Sequence, residues 1–228
     1  MRTYIIGDVH GCYGQLNMLL NRLSPDPESD TLVFLGDLFD RGSDSWEVFQ
    51  KVRELAETFG DRFILLRGNH EDYLLKPRMS LMEDLVWKRV GKQETVKSFQ
   101  RHGMKMKDAA PWIHDHVSLF YRSGKFQCVH AGVMVEPIEA NSLDTLIHDH
   151  SIATENRYDG FLTVVGHIAV SQPVWFAGDR RTIKWLEYGE KQPLPERGVI
   201  CIDTGCGKEG FLTAMVVEGE EFTLVRYR

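Results

Sequence analysis

Three short polar blocks, each placed directly after an apolar run, occupy the first third of this chain. They read Gly-Asp-Val-His-Gly at 7–11, Gly-Asp-Leu-Phe-Asp-Arg-Gly at 36–42 and Gly-Asn-His-Glu at 68–71. The apolar runs before them have the length and composition of buried strands. Because open α/β sheets bind ligands at the carboxyl ends of their strands, the pattern predicts one shared site at a sheet edge.

Helices are predicted between these strands. Leucines recur at helical spacing over residues 16–23, and apolar side chains do so again over residues 46–59, where Gly60 ends the helix. Strands that alternate with helices indicate βαβ units and a parallel sheet. Residues 72–116 interrupt this alternation with a helical composition, and we expect a helical insertion there that shapes access to the site.

From about residue 117 the chain has a β-rich character. Apolar runs again lead into polar residues, among them His130, His167 and Asp203, and residues 174–188 predict a hairpin. A helical, parallel half followed by a β-rich half indicates two sheets packed face to face with helices outside. We therefore expect residues 1–228 to form a single domain, with Asp203 as a turn residue.

Length and charge narrow the classes of function. The 228 residues suffice for one sizeable core, and the net charge of -6 argues against nucleic acid as the partner. No apolar stretch is long enough to cross a membrane and no signal peptide is recognisable, so a cytoplasmic location without membrane partners is expected. The cysteines are therefore expected to be reduced, with a Cys201–Cys206 disulfide as the alternative.

Six side chains at the predicted strand ends can bind a metal ion. They are two carboxylates, one amide and three imidazoles: Asp8, Asp37, Asn69, His10, His130 and His167. Without thiolate, this mixture suits divalent manganese, iron or zinc. One open catalytic ion needs fewer donors. If Asp37 bridges, the other donors divide between two ions about 3.5–4 Å apart. The structural alternative is that Asp8 and Asp37 are helix N-caps.

The motifs also have a family resemblance. GDVHG, GDLFDRG, RGNHE, VHAGV, VGH and IDTGC, running from residue 7 to 206, resemble the metallophosphoesterase superfamily and, within it, the bacterial serine/threonine phosphoprotein phosphatases. The resemblance implies a four-layer α/β/β/α sandwich of two mixed sheets flanked by helices. It also implies two divalent ions, manganese first, with iron or zinc as alternatives. Their ligands would be Asp8, His10 and Asp37 for the first ion, and Asp37, Asn69, His130 and His167 for the second.

The resemblance implies catalytic roles as well. His70 would be the general acid that protonates the departing oxygen, and Asp40 would orient it. Arg41, supported by Arg67, would bind the phosphoryl oxygens of the substrate. One alternative is that His70 is a metal ligand. Another is that Arg41 forms a structural ion pair with Asp40 or Asp44.

One stretch departs from the family pattern. Relatives carry a tryptophan and a second phosphate-binding arginine where this chain reads Leu-Ile-His-Asp-His at 146–150. His148 or Asp149 can take the place of that arginine, or its charge can come from another loop that carries Arg157, Arg180 or Arg181. The His-Asp-His segment is otherwise expected to be a solvated loop, because two histidines without a further partner are common.

The leading functional prediction is a metal-dependent phosphoric monoester hydrolase. It would be a protein serine/threonine phosphatase, with phosphotyrosine as a further substrate class and a phosphorylated protein or small phosphoester as substrate. The alternative is a symmetrical dinucleoside polyphosphate (diadenosine tetraphosphate) hydrolase, whose members more often lack an acid at the position of Asp40 and carry Asp at that of Glu71.

Two further hypotheses rank lower. A binding module without activity is motivated by the altered stretch at 146–150, although all six donors and His70 are present. A nuclease ranks last because the chain lacks a surplus of basic residues. The sequence does not indicate the oligomeric state.

Overall fold

Two mixed sheets hold the strands of the computed structural model, which describes residues 1–152 and 154–228. The strands are β1 Thr3–Ile6, β2 Thr31–Phe34, β3 Phe63–Leu66, β4 Val117–Ser118, β5 Phe120–Arg122, β6 Gln127–Val129, β7 Thr163–Val165, β8 Val174–Phe176, β9 Ile183–Trp185, β10 Lys191–Pro193, β11 Val199–Cys201, β12 Leu212–Glu218 and β13 Glu221–Tyr227. The α-helices are α1 Tyr13–Leu23, α2 Ser45–Phe59, α3 Asn69–Leu75, α4 Leu81–Arg89, α5 Lys92–Arg101, α6 Ala110–His116 and α7 Leu143–His148.

The first sheet has seven strands in the order β10-β13-β12-β1-β2-β3-β4. Strands β1 to β4 are parallel to one another, with Ile5 opposite Val33. On its other side β1 pairs antiparallel with β12, where Ile5 is opposite Met215. The C-terminal strands thus complete the N-terminal sheet. The two sheets therefore do not correspond to the two halves of the chain, which differs from the division that the sequence suggests.

The second sheet has six strands in the order β5-β6-β7-β11-β8-β9. Its central strands β6, β7 and β11 are parallel, and β8 and β9 form the predicted hairpin. Each sheet therefore has a parallel centre whose strands end next to polar loops, which is the arrangement that collects ligand-binding residues at one edge.

Side chains that alternate along β1 explain the layers. Ile5 packs between the sheets with Val33 and Val164, whereas Tyr4 and Ile6 point the other way and pack with α1 and α2. A further apolar cluster joins α7 and its neighbouring loops to the outer face of the second sheet. This arrangement confirms the predicted fold of two mixed sheets flanked by helices.

The segment predicted as a helical insertion is helical. Residues 72–116 contain the end of α3, followed by α4, α5 and α6. The rings of Trp87 and Phe99 are buried against the helical layer of the first sheet, whereas Leu81 and Met82 are exposed on α4. Within the described residues, no helix has the length and apolar character needed to cross a membrane.

Candidate active site

The predicted metal donors lie on short turns that follow strands. Asp8 and His10 follow β1, Asp37 follows β2, His130 directly follows β6 and His167 follows β7. His10, Asp37 and His167 have positive φ angles of 46°, 51° and 66°. Such backbone conformations cost about 1–3 kcal/mol for a non-glycine residue and are concentrated at functional sites. The fold therefore holds these side chains in strained, fixed positions.

Asp37 lies at the centre of the site. Its Oδ2 is 3.5 Å from His10 Nε2, and its Oδ1 is 3.5 Å from His130 Nε2. Two groups of donors share this carboxylate, and the ligand atoms within each group lie within 4.8 Å of one another: His10, Asp37 and His70 in one group, and Asp37, His130 and His167 in the other. A carboxylate that directs one oxygen to each group is suited to bridge two metal ions.

Backbone carbonyls orient two of the imidazoles. His10 Nδ1 donates to the carbonyl oxygen of Phe39 at 2.8 Å, and His130 Nδ1 donates to that of Leu35 at 2.8 Å. Burial lowers the pKa of both histidines, so both rings are neutral near pH 7. The Nε2 atom of each ring then carries a lone pair and lies 3.5 Å from an oxygen of Asp37. Nitrogen lone pairs this close to carboxylate oxygens repel them unless a cation lies between the two.

Asn69 and His167 lie on the same side of Asp37 as His130. Asn69 Oδ1 is 3.1 Å from His130 Nε2 and 3.0 Å from His167 Nδ1. Burial, followed by the nearby His130, lowers the pKa of His167 to about 3, so this ring is neutral as well. Its Nε2 is buried without a hydrogen-bond partner among the described residues.

Asp8 borders the first donor group. Its Oδ2 accepts a hydrogen bond from the backbone N–H of His167 at 3.0 Å and lies 4.0 Å from His10 Nε2. Burial, followed by the charges of Asp203 and Asp37, raises the pKa of Asp8 well above its usual value. Asp8 Oδ1 and Asp203 Oδ2 are buried and have no hydrogen-bond partner in the described part of the chain. Carboxylates crowded in this way next to neutral imidazoles fit divalent cations.

His70 and Asp40 form a buried pair beside the donors. His70 Nδ1 donates to Asp40 Oδ2 at 2.6 Å, and His70 Nε2 lies 3.8 Å from Asp37 Oδ2. Asp40 also accepts hydrogen bonds from Trp87 Nε1 and Thr95 Oγ1, both at 2.7 Å. Burial alone would lower the pKa of His70, but the carboxylates of Asp37 and Asp40 outweigh burial and raise it. This geometry is compatible with either predicted role of His70, as proton donor or as ligand.

The two predicted phosphate-binding arginines have different surroundings. Arg41 directs Nη1 to His10 Nε2, and within the described residues it forms no ion pair with Asp40 or Asp44. Its guanidinium is therefore at the donor cluster, as a phosphate-binding group requires. Arg67 instead forms an ion pair with Asp72 on α3, so its contribution to substrate binding stays a prediction.

Glu71 supports the loop that carries Asp37. Its carboxylate accepts hydrogen bonds from the backbone N–H groups of Asp37 at 2.7 Å, Leu38 at 2.8 Å and Gly68 at 3.1 Å. Burial, followed by the charge of Asp37, raises the pKa of Glu71 to about 7. Gly68 is needed for this close packing, because a Cβ atom there would lie 2.2 Å from Asp37 Oδ1.

Two features near the site were not expected from the sequence. The ring of His150 lies edge-on to that of His167, with 4.6 Å between the ring centroids. His150 is exposed, but His148 ends α7 and both His148 and Asp149 are half-buried. The segment is therefore not the solvated loop that the sequence predicts, and His150 has a partner at the site. The oxygens of Asp149 accept hydrogen bonds from Ser151 Oγ and from the backbone N–H of Ile152, both at 2.9 Å. A carboxylate cannot supply the cationic donors with which an arginine binds phosphate.

Asp203 is the second such feature. Its Oδ1 accepts the backbone N–H of Gly205 at 2.9 Å, as a turn residue should. Its Oδ2 is buried without a hydrogen-bond partner among the described residues, and the charge of Asp203 raises the pKa of Asp8. Only the packing of the loop after β11 against the loop after β1 brings these carboxylates together. No local signal in the sequence could have revealed this neighbourhood.

Relatives of this chain include hydrolases of dinucleoside tetraphosphates. A symmetrical bis(5'-nucleosyl)-tetraphosphatase of Proteus mirabilis is 49% identical over 75 residues, which are 33% of this chain and 26% of the relative. The enzyme of that name from Coxiella burnetii is 29% identical over 187 residues, which are 82% of this chain and 60% of the relative. The chain thus matches three-fifths or less of the length of these relatives.

Solved structures with the same fold carry different names. A crystal structure described as that of a candidate diadenosine tetraphosphatase has a TM-score of 0.66 at 21% identity, and the match covers 100% of this chain and 94% of that one. A cold-active protein tyrosine phosphatase has a TM-score of 0.64 at 16% identity, covering 99% of this chain and 78% of that one. The calcineurin-like phosphoesterase model matches residues 1–192. Together with the donor cluster, this match shows that the chain belongs to the calcineurin-like phosphoesterase family.

Proposed function

We propose that this chain is a metal-dependent hydrolase of symmetrical dinucleoside tetraphosphates. The proposal rests mainly on the position of Asp37, which directs one oxygen to each of two donor groups. The choice of substrate is supported by the tetraphosphatase relatives, one of which aligns over 187 residues. The comparisons thus favour the alternative reading of the motifs over a phosphoprotein phosphatase. We place the enzyme and its small-molecule substrate in the cytoplasm.

The metal centre would be built from residues at the strand ends. Asp8, His10 and Asp37 would hold one divalent ion, with Asn69, His130 and His167 joining Asp37 around the other. Such ions lower the pKa of water and neutralise charge on phosphoryl oxygens. Manganese remains our first choice, because the donors are oxygen and imidazole without thiolate.

The residues of the chain would then position and protonate the substrate. His70 would deliver the proton on Nε2 to the departing oxygen, while Asp40 holds Nδ1 at 2.6 Å and fixes the ring. The guanidinium of Arg41, which contacts His10, would bind phosphoryl oxygens as negative charge develops on them.

A phosphomonoesterase acting on phosphoproteins is the second candidate. A nucleoside diphosphate departs readily without a proton, whereas the alkoxide of serine or threonine needs a general acid. The buried pair of His70 and Asp40, held by Trp87 and Thr95, is therefore most useful for a phosphomonoester. Asp40 and Glu71 themselves also favour this candidate.

A substrate panel tests the proposal. The full chain, loaded with Mn²⁺, is assayed with diadenosine tetraphosphate, phosphoserine and phosphotyrosine peptides and an aryl phosphate. We expect diadenosine tetraphosphate to yield only nucleoside diphosphates, with a kcat/KM at least about tenfold above that of the peptides. Faster hydrolysis of a phosphopeptide would favour the second candidate. If no substrate is hydrolysed with any divalent metal, the hypothesis of a binding module without activity would be favoured.

A further inference from the structure

Two thiols from opposite ends of the chain meet behind the first polar block. Cys12 Sγ donates to the carbonyl oxygen of His10 at 3.4 Å, and Cys206 Sγ donates to that of Val9 at 3.3 Å. The two sulfurs therefore lie against adjacent peptide groups. The backbone N–H of Cys12 also donates, at 3.1 Å, to the same carbonyl oxygen of Val9 that accepts from Cys206 Sγ. No other pair of cysteines in the described residues shares such a contact.

One of these thiols can be reached from solvent. Cys12 is half-buried and lines an open groove of about 510 Å³, together with Gln15, Ser43 and the C-terminal Tyr227. Cys206 is fully buried behind it. A small oxidant in the groove would therefore meet Cys12 first, and Cys206 would be the nearest thiol to resolve the product.

The loop that carries Cys206 also touches the candidate active site. A Cβ atom on the next residue, Gly207, would lie 2.9 Å from His10 Cβ and 3.1 Å from Arg41 Cβ. Gly207 thus packs directly on the residues that are proposed to hold a metal ion and a phosphoryl group. A movement of Cys206 towards Cys12 would change this contact.

We propose that Cys12 and Cys206 are a hydroperoxide-sensitive thiol pair whose oxidation to a disulfide reduces hydrolysis. Hydrogen peroxide would oxidise Cys12 to a sulfenic acid as its O–O bond breaks and one water leaves. The sulfur of Cys206 would then attack the sulfenic sulfur, form the S–S bond and release a second water. Two electrons pass from the thiols to one peroxide, so the step is balanced. A thiol reductant would reverse it.

The bond itself is tested by peptide mapping. The full chain with bound Mn²⁺ is treated with hydrogen peroxide, the remaining thiols are alkylated after denaturation, and the protein is digested with trypsin. We expect residues 3–22 to be cross-linked to residues 198–208. The second peptide contains Cys201 as well as Cys206, so Cys201→Ser is the matched control that must keep the link. Cys12→Ser and Cys206→Ser must lose it.

The consequence is tested on the same samples. Oxidation should weaken Mn²⁺ binding or phosphoester hydrolysis by about tenfold or more, because the contact with His10 changes, and a phosphine should restore both. Cys12→Ser and Cys206→Ala should be unaffected by peroxide. If the cross-link is absent, or if Cys12→Ser loses function equally, the proposal is wrong. Neither the mapping nor the Mn²⁺ titration needs a substrate, so a failed substrate assignment would not hide the result.

Discussion

Asp37 is the residue on which both donor groups converge, and its role as a simple helix cap can be set aside. Helices α1 and α2 begin after Cys12 and Asp44, so neither Asp8 nor Asp37 is an N-cap. Asp37 instead directs its two oxygens to imidazoles of different groups. At the scale of single residues, substitution of Asp37 is therefore the strongest test of a paired metal site.

Replacing Asp37 with asparagine keeps the shape of the side chain and removes its charge. We expect Asp37→Asn to weaken Mn²⁺ binding at both positions by at least about 100-fold and to abolish turnover, as measured by metal titration and by hydrolysis of the best substrate. The exposed Asp61→Asn is the control and should behave as wild type. Two tightly bound ions in Asp37→Asn would argue against a bridging role.

The proposed role of His70 as proton donor predicts a pH dependence with a definite sign. Burial would lower the pKa of His70, but Asp37 and Asp40 raise it above its usual value. The acid is protonated below this pKa, so hydrolysis of an alkyl phosphate should be lost as the pH rises through it. His70→Asn should remove this loss of activity at high pH. It should also slow the hydrolysis of alkyl phosphates by about 10²–10⁴-fold, with a much smaller effect on aryl phosphates. An equal loss of rate for alkyl and aryl phosphates would instead indicate that His70 is a metal ligand.

The sequence singles out six candidate donors but not their neighbours. Each of the six donors follows a recognisable strand, and strand ends meet at one edge of a sheet. Asp203 and His150 reach the site through loop packing that no local pattern records. Arg67 forms an ion pair with Asp72, a contact that sequence spacing alone does not single out, and its support of substrate binding stays a prediction.

At the scale of elements, helices α4 and α5 of the segment predicted as an insertion hold part of the candidate site. Trp87 on α4 and Thr95 on α5 donate hydrogen bonds to the two oxygens of Asp40. The helical composition was readable from the sequence, but these contacts were not, because they span 47 and 55 residues of chain. The insertion therefore fixes the orientation of the pair formed by Asp40 and His70.

Removing one of these hydrogen bonds tests that role. Trp87→Phe deletes the indole N–H and leaves Asp40 Oδ2 with His70 as its remaining partner. A lost bond to a buried charge costs about 1.5–3 kcal/mol, so we expect a lower unfolding free energy and a reduced kcat for alkyl phosphates, with KM unchanged. Trp112→Phe, whose ring stacks on His116, is the control. Similar kinetic losses in both variants would assign Trp87 a purely structural role.

The turns after the strands provide a second test at this scale. Gly166 lies next to His167, and a Cβ atom there would be 2.1 Å from Asp8 Oδ1. Gly166→Ala should therefore displace Asp8 and weaken Mn²⁺ binding by about tenfold or more. Gly14→Ala, at a helical position with nothing within 4 Å, should retain full binding. Unchanged metal affinity in Gly166→Ala would show that the turn can relax.

At the scale of the whole molecule, the site depends on the two sheets meeting across an apolar layer. Ile5 of β1 and Val164 of β7 belong to this layer, which fixes Asp8 and His167 near each other. The alternation of apolar residues predicted two sheets. It could not predict that β12 and β13 return to the first sheet, because that pairing is set by tertiary packing between distant segments. The return of the chain also brings Asp203 and Cys206 to the site.

The most direct test of a paired metal centre is the stoichiometry and magnetic coupling of bound manganese. The apo chain is titrated with Mn²⁺ and followed by electron paramagnetic resonance. Asp37 as a shared ligand predicts two ions per chain with an exchange-coupled spectrum, because bridged ions lie about 3.5–4 Å apart. A single bound ion, or two ions that give only uncoupled signals, would contradict the account.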